Sequence, residues 1–424
     1  MYSGYHSDQL SHSSSPPRVE ISNVGREPFN VSSTTEILTK ALEGRSITQE
    51  QACELLSSGD LDSILVTADR IRHRTKLGRI VTYSRKVFIN LVNLCRDSCS
   101  YCTYKKEPGD ALLSMLDPSQ TLAIAEMGKK YRCTEALIVT GERPEQKYAE
   151  ARAWLKSTGH SSTIEYIADI SETILRKTGL LPHTNSGSLT KKEMRLLKAT
   201  NVSLGVMLES SSERLTSSGM AHEHAPSKNP KVRMRTIEGA GELKIPMTTG
   251  LLVGIGETQE ELVDSLFSIK SLSEKYGHIQ EVIMQNFAPK TYTGMAQALP
   301  ATPEFFLKTV ALSRIVMPEM NIQVPPNLNP KIFGNFLDAG INDWGGISPV
   351  TIDHVNPEFQ WPTIEMLKEP MEKRRYTLRA RLPVYPEFFK GKALDGFISE
   401  RLQNYINFLA DETGLVKEEY INWG

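Results

Sequence analysis

From about residue 84 onward, short runs rich in Val, Ile, Leu and Thr alternate with longer segments of helical periodicity, and this rhythm constrains the fold more than any other feature. Strand-length runs joined by helix-length crossovers build βα units, whose strands lie parallel and whose helices cover the sheet. The pattern predicts strands at 86–93, 135–140, 181–185, 203–208, 247–253 and 281–287. Between them lie predicted helices at 121–131, 164–178, 191–199, 231–243 and 259–276, each long enough to cross back over the sheet. Six such units predict an α/β fold, a partial (β/α)6 TIM-type barrel, occupying residues 81–325. Residues 34–80 read as an N-terminal helical extension with helices at 35–42, 48–56 and 61–75, the second opening on the capping-box spacing of Thr48 and Gln51. Residues 326–424 read as a cap packed on the barrel, with a strand near 321–324 and a closing helix at 394–412. Residues 1–33 are Ser- and Pro-rich, with too little apolar surface to pack, and read as a flexible tail.

Composition matters here for what it excludes. Lys and Arg number 49 against 50 Asp and Glu, a balance that predicts neither nucleic acid nor an anionic membrane surface as a partner. The longest apolar runs, such as 247–255, fall far short of the roughly 20 residues of a membrane span. The amino terminus lacks a basic segment followed by an apolar run, so the expected location is the cytoplasm. Reducing conditions there disfavour disulfides, and the five cysteines need another explanation.

Three of them fall at i, i+4 and i+7 in Cys95-Arg-Asp-Ser-Cys99-Ser-Tyr-Cys102, directly after the first predicted strand. Iron-sulfur clusters take about one thiolate per iron, so a triplet without a fourth neighbour leaves one iron open to an outside ligand. The alternative, zinc, wants four tight ligands, and the nearest candidates, His73 and Cys133, lie about 20 and 30 residues away. Simple packing of three thiols conflicts with the intervening Arg, Asp and Ser residues. Cys53 and Cys133 sit in helical and pre-strand settings and read as small core residues.

The CxxxCxxC spacing, with Tyr101 before the last cysteine, resembles the signature of the radical S-adenosylmethionine (SAM) superfamily. Together with Cys102-Thr-Tyr104, Thr140-Gly-Glu-Arg-Pro144 and Pro182-His-Thr-Asn-Ser-Gly187 it is similar to the family of FO synthase first subunits, from about residue 61 to about 362. The resemblance implies a barrel of the radical SAM kind and one 4Fe-4S cluster on Cys95, Cys99 and Cys102, with SAM chelated at the fourth iron. It further implies that Gly141 and Glu142 receive the SAM amino group, with Thr140 standing where many members carry glycine. Glu209 takes the position that holds the ribose hydroxyls, the alternative being a helix cap. Gly250-Leu-Leu-Val-Gly254-Ile-Gly-Glu257 matches a superfamily pattern that places small residues, Gly254 among them, against the adenine. Arg233 and Arg235 are the candidates for the SAM carboxylate, with solvated surface positions as the alternative, and Tyr101 packs near the adenine or shields the cluster.

For the substrate, His183, Thr184, Asn185 and Ser186 end one predicted strand and Gln285 and Asn286 another, so all are expected at the carboxyl face of the barrel. Asp343 and Trp344 lie in an Asn342-to-Gly346 run expected to fold over the mouth, and His222 and His224 read as loop residues. Tyr104, His183 and Tyr292 are the candidate proton movers. The resemblance implies a radical SAM lyase or synthase that forms the deazaflavin FO from 5-amino-5-(4-hydroxybenzyl)-6-(D-ribitylimino)-5,6-dihydrouracil with loss of ammonia. It also implies a companion subunit and an electron donor such as ferredoxin or flavodoxin. Two other readings stand beside it: the companion hydroxybenzyl transferase, which carries Phe where this chain has Tyr101, and a non-catalytic iron-sulfur or zinc scaffold.

Overall fold

A computed structural model describes residues 31–391 and 396–421; the expected tail at 1–33 and the start of the closing helix expected from 394 fall largely outside them. The predicted βα rhythm is realised as β1 (Ile80–Val92), β2 (Glu135–Thr140), β3 (Leu181–Asn185), β4 (Ser203–Gly205), β5 (Met247–Val253) and β6 (Ile279–Asn286). Three further strands follow, β7 (Ile322–Gln323), β8 (Asp343–Ile347) and β9 (Thr377–Arg381). All pairings between these strands are parallel.

The strands run in order from β1 to β8, and β8 pairs back onto β1, so β7 and β8 close the six predicted units into an eight-stranded barrel. β9 lies outside the ring, along the amino half of β1. The boundary expected at 325 therefore does not separate barrel from cap, because Asp343–Ile347 is a barrel strand. Helices Pro118–Lys130, Thr163–Thr178, Lys191–Lys198, Pro230–Glu242, Gln259–Tyr276 and Pro303–Val316 form the outer layer. Their apolar stripes, such as Ile167, Ile170 and Ile174, are buried against the strands. Gln49–Ser57 and Leu61–Arg72 pack on Gln259–Tyr276 and Pro303–Val316, Val31–Leu42 packs on those first two helices, and Thr48 and Gln51 make the expected capping box. A helix at Glu400–Leu409 lies within the expected closing segment.

The floor of the barrel is sealed by buried ions. Arg381, at the end of β9, reaches inward to Asp343 (2.6 and 3.0 Å) and to Glu281 (2.6 Å), and Tyr385 donates to Glu281 (2.8 Å). Asp343 is fully buried here, so the placement expected for it over the barrel mouth is corrected: its carboxylate neutralises Arg381. No described helix is long and apolar enough to cross a membrane.

Candidate active site

The cysteine loop leaves the carboxyl end of β1 and is clamped on several sides by backbone hydrogen bonds. Arg96 N–H donates to Glu142 O (2.8 Å), Ser98 N–H to His224 O (2.8 Å), Ser100 N–H to Ala221 O (2.9 Å), and Met295 N–H donates to Ser100 O (3.0 Å). Asp97, buried within the loop, accepts from the Ser227 amide (3.1 Å) and hydroxyl, tying the loop to the turn before Pro230–Glu242. The three thiols face one cavity of about 330 Å³ at the carboxyl ends of the strands. Burial pushes the Cys95 thiol up to about 11 and the Cys99 thiol to about 12, so an incoming metal must displace their protons. Among the described residues no three His, Cys, Asp or Glu side chains gather tightly enough to hold a single ion.

The end of β2 lies against this loop. A Cβ on Gly141 would sit 1.9 Å from Leu94 O and 2.8 Å from Cys95 Cα, so only glycine permits the approach. Glu142 N–H then donates to Cys95 Sγ at 3.2 Å. The Glu142 carboxylate is buried; one oxygen accepts from Ser188 N–H (3.0 Å), and the other, Oε1, accepts no hydrogen bond, with the Arg143 guanidinium 3.6 Å away as its nearest cation. Thr140 Oγ1 and Ser186 Oγ are also buried without partners, and Thr140 and Glu142 face the cavity. Orphaned acceptors of this kind are costly unless a ligand supplies a donor, and an ammonium group fits them. Arg233, buried, lies 3.8 Å from Glu142 and faces the cavity while donating to Ser227 O (2.8 Å). Arg235, two positions along the helix, is exposed and points away, which removes it as a ligand.

Glu209 follows β4 in a left-handed conformation (φ 65°), costly for a residue with a side chain. It is held there because its N–H donates to Gly250 O (3.0 Å) and its carbonyl accepts from Leu252 N–H (3.1 Å). Its carboxylate faces the cavity and accepts from Lys228 Nζ (2.5 Å), not from a helix amide. Burial works against ionisation, but the Lys228 ammonium outweighs it and holds the carboxyl below its usual range. Tyr101 faces the cavity, with its hydroxyl 3.1 Å from His222 Nε2 and the two rings edge to face. His222 is buried and its pKa is pushed down to about 3 by that burial, so it is a neutral partner of Tyr101 and not a free loop residue. His224 remains exposed.

Gly254 does not line the cavity. It turns at φ 98° against Ala301, while Glu257 accepts from Gly254 N–H (2.6 Å) and Ile255 N–H (2.9 Å) to close the turn after β5. Leu252 takes the wall position instead. Of the expected substrate contacts, Asn185, Gln285, Asn286 and Trp344 line the cavity. Thr184 faces outward and donates to Asn201 (2.7 Å), and His183 lies deeper in the barrel. Tyr104 reaches the cavity wall, but its hydroxyl is directed at the carbonyls of Val139 (3.1 Å) and Val92 (3.3 Å), which disqualifies it as a proton mover. Tyr292 is fully exposed outside the cavity. Sequence reasoning missed Lys228, Asp97 and Lys86, all cavity-facing; a lysine inside the apolar run of β1 was the available signal.

Residues 89–269 match the family described as the radical SAM superfamily. Over 338 residues the chain is 45% identical to the 7,8-didemethyl-8-hydroxy-5-deazariboflavin synthase of Methanopyrus kandleri, covering 80% of this chain and 100% of that protein. The enzyme of the same name from Methanocaldococcus jannaschii is 43% identical, with 88% and 100% covered. The FO synthase of Mycobacterium leprae is 41% identical over 92% of this chain, which spans 47% of that longer protein. The FeFe-hydrogenase maturase HydG of Carboxydothermus hydrogenoformans has a similar fold, with TM-score 0.71 at 18% identity over 92% of this chain and 87% of that one.

Proposed function

The chain belongs to the radical SAM superfamily and, within it, to the 7,8-didemethyl-8-hydroxy-5-deazariboflavin synthases; from that premise we propose that it forms FO from 5-amino-5-(4-hydroxybenzyl)-6-(D-ribitylimino)-5,6-dihydrouracil, releasing ammonia. One observation carries this reading beyond the family: a closed-barrel cavity brings three thiols, oxygens of Glu142 and Thr140 that make no hydrogen bond, the Glu209 carboxylate and the amides of Asn185 and Gln285 to one chamber. When bound, a 4Fe-4S cluster with SAM at its open iron supplies a 5'-deoxyadenosyl radical for hydrogen abstraction.

The protein's own part is holding, orienting and drying. Cys95, Cys99 and Cys102 hold three irons, and the Glu142 amide donates to the Cys95 sulfur. Glu142 and Thr140 accept the SAM ammonium, Arg233 pairs with its carboxylate, and Glu209 accepts from the ribose hydroxyls. Tyr101 shields the cluster edge. Asn185, Gln285 and Asn286 hydrogen-bond the polar edges of the substrate, while Trp344 and Trp361 exclude water beside it. The FO synthase relatives that extend to twice this length support a companion subunit that makes the substrate, and a ferredoxin or flavodoxin is the proposed electron source.

The test is turnover. Reconstituted anaerobic protein, given SAM, reductant and the hydroxybenzyl adduct, is expected to yield deazaflavin fluorescence with matching ammonia. Formation of the hydroxybenzyl adduct from tyrosine plus the ribityl-uracil, with no deazaflavin from the adduct, would assign the companion transferase reaction instead.

A further inference from the structure

Below the cavity lies a second chamber of about 110 Å³, toward the amino ends of the strands. The two spaces share walls at Lys86, Leu137, Asn185, Met207, Gln323 and Gly346, so a ligand in the first can extend into the second. Three polar groups face this lower space with unused hydrogen-bonding capacity. Lys86 is buried, yet among the described residues it has no ion pair or hydrogen bond; its Nζ stands 4.7 Å from the Trp361 ring centroid and 5.4 Å from that of Phe88. Gly346 makes room for it, since a Cβ there would fall 2.3–2.6 Å from Lys86 Cδ, Cε and Nζ. The Asn185 amide also lacks a protein partner and faces both spaces.

The third group is His183, whose tautomer follows from its neighbours. Ser203 has one hydroxyl proton and donates it to Pro383 O at 2.5 Å. The 2.6 Å contact between Ser203 Oγ and His183 Nδ1 therefore has the histidine as donor. Burial lowers the His183 pKa to about 4, so the ring is neutral near pH 7 and Nε2 is a bare acceptor. The other charged groups of this lining have protein partners: Arg381 pairs with Asp343 and Glu281, Glu135 accepts from the Ser84 hydroxyl, and Gln323, with its amide turned so that the nitrogen faces Glu281, donates to that carboxylate (3.0 and 3.2 Å). The chamber thus offers a donor, an acceptor and an amide that is both, without a surplus of either charge. Hydroxyl groups, each donor and acceptor at once, satisfy such a lining; a phosphate or a carboxylate would find no free cation beyond Lys86.

We propose that this lower chamber is the binding site for a neutral polyhydroxylated chain, the ribityl tail of the substrate and product, with Lys86, His183 and Asn185 as its specificity-determining contacts. The inference rests on the proposed deazaflavin reading and deepens it. It implies that the ring system stays in the upper cavity beside the cysteine loop while the tail points down the barrel axis.

The test is a fluorescence titration of the reconstituted full-length protein with FO and with its 10-methyl analogue, which lacks the ribityl chain. Wild-type protein is expected to bind FO at least about tenfold more tightly. Lys86→Met and, separately, His183→Leu are expected to bring FO affinity down toward that of the analogue while leaving the analogue's affinity and SAM binding in place; two variants guard against one that fails to fold. Equal binding of both probes to wild type, or equal weakening of both by the variants, overturns the chamber assignment with the deazaflavin reading intact. Failure of both probes to bind at all removes that reading, and this inference with it.

Discussion

Glu142 donates its backbone N–H to Cys95 Sγ across 3.2 Å, joining the motif that ends β2 to the first cysteine of the loop that follows β1. The contact exists because Gly141 has no side chain. Gly141→Ala would place a methyl 1.9 Å from Leu94 O, and the loop must move. The expected result is much reduced iron and sulfide after reconstitution, with the far-ultraviolet circular dichroism of the barrel retained. Full loading of the variant would contradict the argument.

Glu209 and Lys228 set up the second prediction. Lys228 overcomes the effect of burial and keeps the Glu209 carboxyl below its ordinary range, so the acceptor stays ionised through mildly acid pH. SAM affinity is expected to be insensitive to Glu209 titration between pH 8 and 5.5, and Glu209→Gln is expected to weaken it about tenfold. Equilibrium dialysis at both pH values checks this; unchanged affinity in the variant removes Glu209 from the SAM site.

Asp343 is assigned to the floor, and its removal tests that. Asp343→Ala leaves Arg381 buried with only Glu281 as its carboxylate partner. Breaking a buried, hydrogen-bonded pair costs about 3–5 kcal/mol, so denaturant unfolding should shift strongly. A variant of wild-type stability with weakened substrate binding would return Asp343 to the mouth.

Three buried histidines make the fold acid-sensitive. Burial lowers His183 to about 4, His222 to about 3 and His278 to about 4, below the ordinary value near 6.5. At these three rings the unfolded chain binds more protons than the folded one across this window; burial of Glu281, which raises its carboxyl to about 7, opposes them in part, and the net expectation is that stability falls as pH drops from about 6.5 toward 4. For His183 alone the loss at pH 5 is roughly 2 kcal/mol. Thermal melts of cluster-free protein at pH 7 and 5 measure it, and His278→Gln is expected to flatten the difference; equal stability of the wild type at the two values would contradict the prediction.

Much of the site was legible in sequence because it lies in strongly patterned segments. β2, β3, β5 and the helix Gln259–Tyr276 fall at the residues the periodicity indicates, and the cysteine spacing located the loop. The strand expected near 321–324 is β7, though it was assigned to the cap and not to the ring, and β8 was not read as a strand because a Gly-rich run carries no alternation to detect. Within β3, neighbouring residues face opposite sides, so of three consecutive candidates His183 and Asn185 point inward and Thr184 outward. Strand-end position alone could not supply that parity, nor the depth that separates His183 from Asn185. Arg233 and Arg235 show the same limit on a helix: both were candidates, and two residues of rotation leave only Arg233 on the buried side. Lys228 escaped notice because its role depends on a turn that folds back to Glu209, a contact between residues 19 positions apart.

The measurement that tests the central claim most directly compares wild type with Cys99→Ala after anaerobic reconstitution. Iron-sulfur content, the electron paramagnetic resonance of the reduced protein with and without SAM, and 5'-deoxyadenosine formation are followed together. One 4Fe-4S cluster in the wild type, a signal that changes when SAM is added, and 5'-deoxyadenosine are expected, all lost in Cys99→Ala. A wild-type cluster whose signal ignores SAM and yields no 5'-deoxyadenosine, or a Cys99→Ala protein that still cleaves SAM, would contradict that claim.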